Sequence, residues 1–181
     1  MLDAENVSIL ISADEIAERV GQLGSAITRD YRDLDCVPHL ICVLKGGCMF
    51  LSDLMRAVHL PVTIDFIAVS SYGDGVASSG EVRMTKDLDQ SLEGRDVLFV
   101  EDIVDTGLTL TYLVDTFRRR GARSVRIAAL LSKRARRKME VPIDYVGFEI
   151  PDAFVVGYGL DHAERFRNLP FIGVVGDRIP A

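Results

Sequence analysis

The chain has no apolar run approaching the ~18 residues of a membrane-spanning helix, so no span is expected. Cysteine is scarce. Cys36, Cys42 and Cys48 stand six residues apart and form no CxxC pair, which argues against a zinc site and for reduced thiols serving as small core residues. Met1-Leu2-Asp3-Ala4-Glu5 lacks the basic and apolar regions of a secretory signal, and the expected compartment is the cytoplasm. Positive charge is also short: Lys and Arg number 21 against 27 Asp and Glu, a net charge of −6. That balance disfavours general nucleic-acid binding but leaves room for a local anion site. Internal repeats, low-complexity tracts and linkers are missing. No GxxxxGK(S/T) loop occurs, and Gly157-Tyr158-Gly159 does not complete a GxGxxG fingerprint.

What remains is a globular pattern. The 181 residues are 48% hydrophobic, enough for one domain with a substantial core. Ser12 and Glu15 have capping-box spacing ahead of Ile16, Val20, Leu23 and Ile27, which predicts a helix over about 12–34 despite Gly21 and Gly24. Leu40–Leu44 reads as a strand that breaks at Lys45-Gly46-Gly47. Leu51, Leu54, Met55 and Val58 mark a second helix, closed by Pro61. Val62–Ser70 alternates as a strand. The glycine- and serine-rich stretch 71–80 is either a mobile lid or a surface turn, and Val82–Lys86 is a short strand beyond it.

Val97–Val100 reads as a buried strand running out into Glu101-Asp102, with Asp105-Thr106-Gly107-Leu108-Thr109 leading into a helix that carries Leu110, Leu113, Val114 and Phe117. Arg118, Arg119 and Arg120 suit that helix's C-terminal dipole, and Gly121 its stop. Ser124–Leu131 is another strand, ending at Ser132-Lys133, with further strands near 144–149, 153–157 and 171–175. Alternating strands and helices predict an α/β fold: an open, mainly parallel sheet flanked by helices on both faces. Ligands in such sheets bind beyond the carboxyl ends of strands, where Lys45, Glu101, Asp102, Asp105 and Lys133 fall. Three carboxylates within five residues repel one another unless cations or hydroxyl donors occupy the site. Magnesium and ribose hydroxyls fit that need. The backbone amides and hydroxyls of 105–109 suit a phosphate monoester, although an ordinary capped helix uses the same residue types.

Val97–Thr109 resembles the phosphoribosyl-diphosphate signature of the type I phosphoribosyltransferases. Leu44-Lys45-Gly46-Gly47, Ser71-Tyr72, Leu131-Ser132-Lys133-Arg134, Phe154 to Asp161 and Phe166-Arg167 are similar to the hypoxanthine (guanine) branch. The resemblance runs in the family's order from about Ile9 to Val175. It implies the family fold over 1–181 as a single domain, with a core of about 35–150. A small hood is expected from the N-terminal segment and about 151–181, and a mobile active-site loop completes the fold. The implied reaction is purine salvage: a 6-oxopurine displaces diphosphate from phosphoribosyl diphosphate, giving IMP or GMP.

By the same resemblance Glu101 and Asp102 hold ribose hydroxyls and the Mg2+ shell, Asp161 supports magnesium, and Asp105 is the acid/base residue facing purine N7. Thr106, Gly107, Leu108 and Thr109 grip the 5′-phosphate; some relatives carry lysine where Leu108 stands. Lys133 donates to the purine O6, Phe154 stacks on the ring and Val155 meets its edge through the backbone. Lys45 and Gly46, joined to Leu44 through a cis peptide, bind diphosphate with Arg167, and Ser71-Tyr72 cover the site. His162, where tyrosine is common, is a neighbour of the site rather than a ligand, and His39 and His59 are structural or exposed. A homodimer or homotetramer is implied.

Alternatives stay open residue by residue. Asp105 could merely cap the phosphate-loop helix, Asp161 could cap a helix at 162–164, and Phe154 could be ordinary core. The basic run Arg134, Arg136, Arg137 and Lys138 reads as a solvated surface. A regulatory RNA-binding protein on the same fold would use that run, and transfer to xanthine or a pyrimidine would keep the fold while changing the base pocket.

Overall fold

A computed structural model describes residues 7–34, 36–71 and 82–176. Strand β1 (Val7–Ile11) leads into helix α1 (Ala13–Arg32), whose start is the predicted capping box: Glu15 N–H donates to Ser12 Oγ at 3.3 Å and Ser12 N–H to Glu15 Oε2 at 2.8 Å. One face of α1 buries Ile16, Val20, Leu23, Ile27 and Tyr31. Gly24 is there for space, since a Cβ would lie 2.5 Å from the carbonyl oxygen of Ala57 on helix α2 (Cys48–Ala57). Gly21 meets nothing.

The main sheet has the order β4-β3-β2-β5-β6-β7. Its strands are β2 (His39–Leu44), β3 (Thr63–Ser71), β4 (Val82–Lys86), β5 (Asp96–Val104), β6 (Ser124–Ser132) and β7 (Tyr145–Glu149). All neighbours are parallel except the β3–β4 hairpin. Alternate strand residues divide the core. Leu40, Cys42, Leu98, Val100, Ala128 and Leu130 pack beneath α1 and α2. Ile41, Val43, Val97, Phe99, Ile127 and Ala129 pack under helix α3 (Leu108–Arg119), where Phe99 stacks on Phe117 at 4.8 Å. A second sheet, β1-β9-β8, unites β1 with β8 (Val155–Val156) and β9 (Ile172–Val175).

Two expectations change here. Strand β5 does not end at Val100: Glu101, Ile103 and Val104 still pair with Ala129, Leu131 and Ser132, so both acids lie inside the strand. Cys42 is fully buried, but Cys36 and Cys48 are only half-buried, and all three are free thiols. Among the described residues no helix is long and apolar enough to cross a membrane.

Candidate active site

The carboxyl ends of β2, β5 and β6 meet at one edge, and the turn after β8 lies against the loop after β2. The Leu44–Lys45 peptide is cis, as the resemblance implied. The loop that follows fits around Asp102 without spare room. A Cβ on Gly46 would sit 1.6 Å from Asp102 Oδ2, and one on Gly159 only 2.1 Å from the Gly46 carbonyl oxygen. Glycine at both positions lets two backbones and a carboxylate share the space.

Successive strand residues point to opposite faces, so Glu101 leaves Asp102 to this loop and lines a small cleft with Asp105, Thr106, Gly107 and Thr109. Burial and the charge of Asp102 push the Glu101 carboxyl well above the usual carboxylate range, and burial pushes Asp102 up to about 6. Glu101 Oε2 is buried without a hydrogen-bond partner. Two carboxyls held this way call for a cation or hydroxyl donors, which is the chemistry of a magnesium–ribose site. Among the described residues, however, no three His, Cys, Asp or Glu side chains converge on one point, so Glu101, Asp102 and Asp161 do not make a closed metal cage. Magnesium usually takes one or two carboxylates and completes its shell with water and substrate phosphates.

The phosphate loop turns into α3 at Gly107, whose φ of 81° lies in the left-handed region. The Leu108 N–H reaches Thr106 Oγ1 at 3.4 Å, and Lys138 and Met139 donate their N–H groups to the Thr106 carbonyl. Asp105 caps nothing. Its Oδ1 instead faces Arg136 Nε at 3.2 Å, and Arg136 also approaches Asp152 at 3.6 Å. Lys133, only 6% exposed, extends its ammonium to the same Asp152 at 4.0 Å. The basic run is therefore not simply a solvated face. Arg136 sits at the site, and Arg137 donates to Ser132 Oγ at 3.0 Å with its Cδ beside Gly107. Arg134, paired with Glu149, and the exposed side chain of Lys138 remain peripheral.

Phe154 is 52% exposed, edge-on to His162 at 5.2 Å, so it is not core. Val155 is buried in β8. Asp161 begins no helix. Its Oδ2 accepts the Glu164 N–H at 2.8 Å, closing a turn, and its Oδ1 meets Arg167 Nη2 at 2.7 Å. Arg167 also donates to the Gly159 carbonyl at 2.7 Å, and Lys45 Nζ meets Glu164 at 2.9 Å. His39 is buried against Thr63, and His59 is exposed. Tyr72 and most of the expected lid lie outside the described residues, as does the side chain of Ser71. Arg136, Asp152 and Glu164 had no distinguishing signal in the sequence, because each is an ordinary charged residue in a polar stretch.

A mainly parallel core sheet whose central strand carries paired acids near its carboxyl end and runs into a phosphate loop defines the type I phosphoribosyltransferase class, and the Phosphoribosyl transferase domain family model matches residues 11–163. The chain is 52% identical to the hypoxanthine-guanine phosphoribosyltransferase of Bacillus subtilis over 97% of its own length and 96% of the relative's. It is 45% identical to the corresponding Streptococcus thermophilus enzyme, covering 99% and 98% of the two chains. A hypoxanthine phosphoribosyltransferase crystal structure from Staphylococcus aureus superposes with a TM-score of 0.90 at 42% identity, over 94% of this chain and 92% of that one. The chain belongs to the hypoxanthine-guanine phosphoribosyltransferase family.

Proposed function

We propose that the protein transfers the 5-phosphoribosyl group of phosphoribosyl diphosphate to hypoxanthine or guanine, releasing diphosphate and forming IMP or GMP. One observation carries the reading. The buried Lys133 ammonium and the Asp105 carboxylate converge on the same Arg136–Asp152 pair, and the exposed ring of Phe154 follows Asp152 by two residues. That corner offers a purine a donor for its O6, an acceptor at its N7 side and an aromatic face. Adenine carries an amino group where Lys133 needs an acceptor, so the same lysine rejects it.

In this reading Thr106, Gly107, Leu108 and Thr109 orient the 5′-phosphate, Glu101 and Asp102 orient the ribose hydroxyls, and Lys45, Gly46 and Arg167 take the diphosphate. As the bond from the anomeric carbon to diphosphate breaks and the purine nitrogen attacks, Asp105 accepts the proton that N7 sheds. Ser71 and Tyr72 belong to the covering loop that keeps water from the activated ribose. Glu101 and Asp102, with Asp161 in support, would hold magnesium, which would supply neutralisation of the charge on the leaving diphosphate. The β1-β9-β8 sheet serves as the hood of a single domain, and the site works in the cytoplasm. The chain's membership of the hypoxanthine-guanine phosphoribosyltransferase family supports assembly as a homodimer or homotetramer.

A panel of hypoxanthine, guanine, xanthine, adenine and uracil with phosphoribosyl diphosphate and Mg2+ tests the assignment by diphosphate release. Turnover with the first two and none with adenine or uracil is expected; turnover with adenine or uracil alone overturns it.

A further inference from the structure

Glu164 joins the two cations assigned to diphosphate. Its Oε2 meets Lys45 Nζ at 2.9 Å and its Oε1 meets Arg167 Nη2 at 3.3 Å, so one carboxylate spans a cation from the loop after β2 and a cation from the turn after β8. Among the described residues Glu164 is the only ion-pair partner of Lys45. The arrangement is built rather than incidental. Glu164 has a φ of 64°, a left-handed backbone that side-chain-bearing residues avoid, and the Asp161 carboxylate holds it there by accepting its N–H at 2.8 Å. The Glu164 carboxyl stays below its usual range chiefly through its hydrogen bond with Lys45.

We infer that Glu164 is an internal stand-in for diphosphate: its carboxylate keeps Lys45 and Arg167 assembled in the free enzyme, and it competes with diphosphate for them. The inference rests on the reading that Lys45 and Arg167 bind diphosphate. Both ends of the contact are well exposed, with the Lys45 and Glu164 side chains each at 66%, so the pairing is weak and a polyanion displaces it readily. In the free enzyme it brings Lys45 to Arg167, which Asp161 and the Gly159 carbonyl already anchor, and it returns to both as product leaves. Glu164 is thus a positioning residue that trades diphosphate affinity for release.

The sign of the effect separates this role from a supporting one. A residue that only props the cations in place lowers diphosphate affinity when removed, whereas a competitor raises it. Titration calorimetry of inorganic diphosphate with Mg2+ into the full-length protein is the test, with folding checked by melting temperature. Glu164→Gln, and Glu164→Ala should glutamine retain Lys45, are expected to bind diphosphate about 2- to 5-fold tighter, the range that exposed ion pairs allow. Glu149→Gln removes an equal charge at the periphery, where Glu149 pairs with Arg134. Equal tightening in Glu149→Gln, or unchanged or weaker binding in both Glu164 variants, overturns the inference. Lys45→Met reports on the underlying reading: if it leaves diphosphate binding untouched, the assignment of Lys45 falls. If it weakens binding while the Glu164 variants fail to tighten it, only the stand-in role falls.

Discussion

Asp105 lies where two elements meet, after β5 and before α3, and its partner Arg136 comes from the one-turn helix after β6. Helix α3 starts on Gly107 with no side-chain cap, so the capping alternative for Asp105 has no bond behind it. Substitution by asparagine should therefore spare the fold and strike the chemistry. Asp105→Asn is expected to lower turnover by about 10²–10⁴-fold, the usual worth of a positioned acid/base group, with an unchanged melting temperature. Steady-state diphosphate release with hypoxanthine measures the first and thermal unfolding the second; wild-type turnover would remove Asp105 from the chemistry.

Between elements, fit and charge decide more than propensity. The Lys45–Gly47 loop closes on β5 through the absence of a side chain at Gly46, 1.6 Å from Asp102 as a Cβ would stand. Gly46→Ala must push either the loop or the carboxylate aside, and a misplacement of about 1 Å near reacting groups costs on the order of 10²-fold in rate. Gly21→Ala, on open helix surface, should keep full activity and gain up to about 1 kcal/mol of stability. Paired activity and urea-unfolding measurements on the two variants check this contrast. At the other end of the sheet, Asp96 opens β5 and binds Arg123 and Ser124 at the start of β6. Arg123 holds the buried Asp96 carboxyl well below 3.8. Its contribution is present above pH 3.8, where the unfolded chain is also ionised, and fades as pH falls from there toward the folded-state value. Asp96→Asn is expected to lose about 2 kcal/mol near neutral pH, with the gap to wild type narrowing steadily in acid. Urea unfolding across that range tests it; a gap independent of pH would contradict the assignment.

For the molecule as a whole, the small sheet and the main sheet must stay in register for the Asp161–Arg167 turn to face Lys45. Tyr158, buried after β8, donates its hydroxyl to Asp53 of α2 at 2.5 Å and makes one such tie. Within the main layer, Arg19 of α1 donates to the carbonyls of Val146 and Gly147 on edge strand β7 at 2.7 and 2.9 Å and fixes the helix on the sheet. Tyr158→Phe removes a hydrogen bond to a charged group and leaves the ring packed, a loss of about 1–3 kcal/mol. A fall of several degrees in melting temperature is expected by calorimetry, and no change would show that the hood is held by packing alone.

Most of the elements were legible along the chain because short-range periods write them: the capping box of α1, the apolar runs of β2 and β6, and the glycine after α3. The end of β5 was not, because charged residues are depleted in strands and read as terminators until β6 is seen to pair beyond them. The acids, the lysines and the phosphate loop could be picked out by their local signature. The partners Arg136, Asp152 and Glu164 could not, since an ion pair depends on distance in space and carries no period in sequence. Sequence alone determined the sheet-and-helix alternation, the chemistry-bearing strand ends and the resemblance. Tertiary structure decided which charge faces which, because Coulomb interactions and burial are set only when distant segments meet.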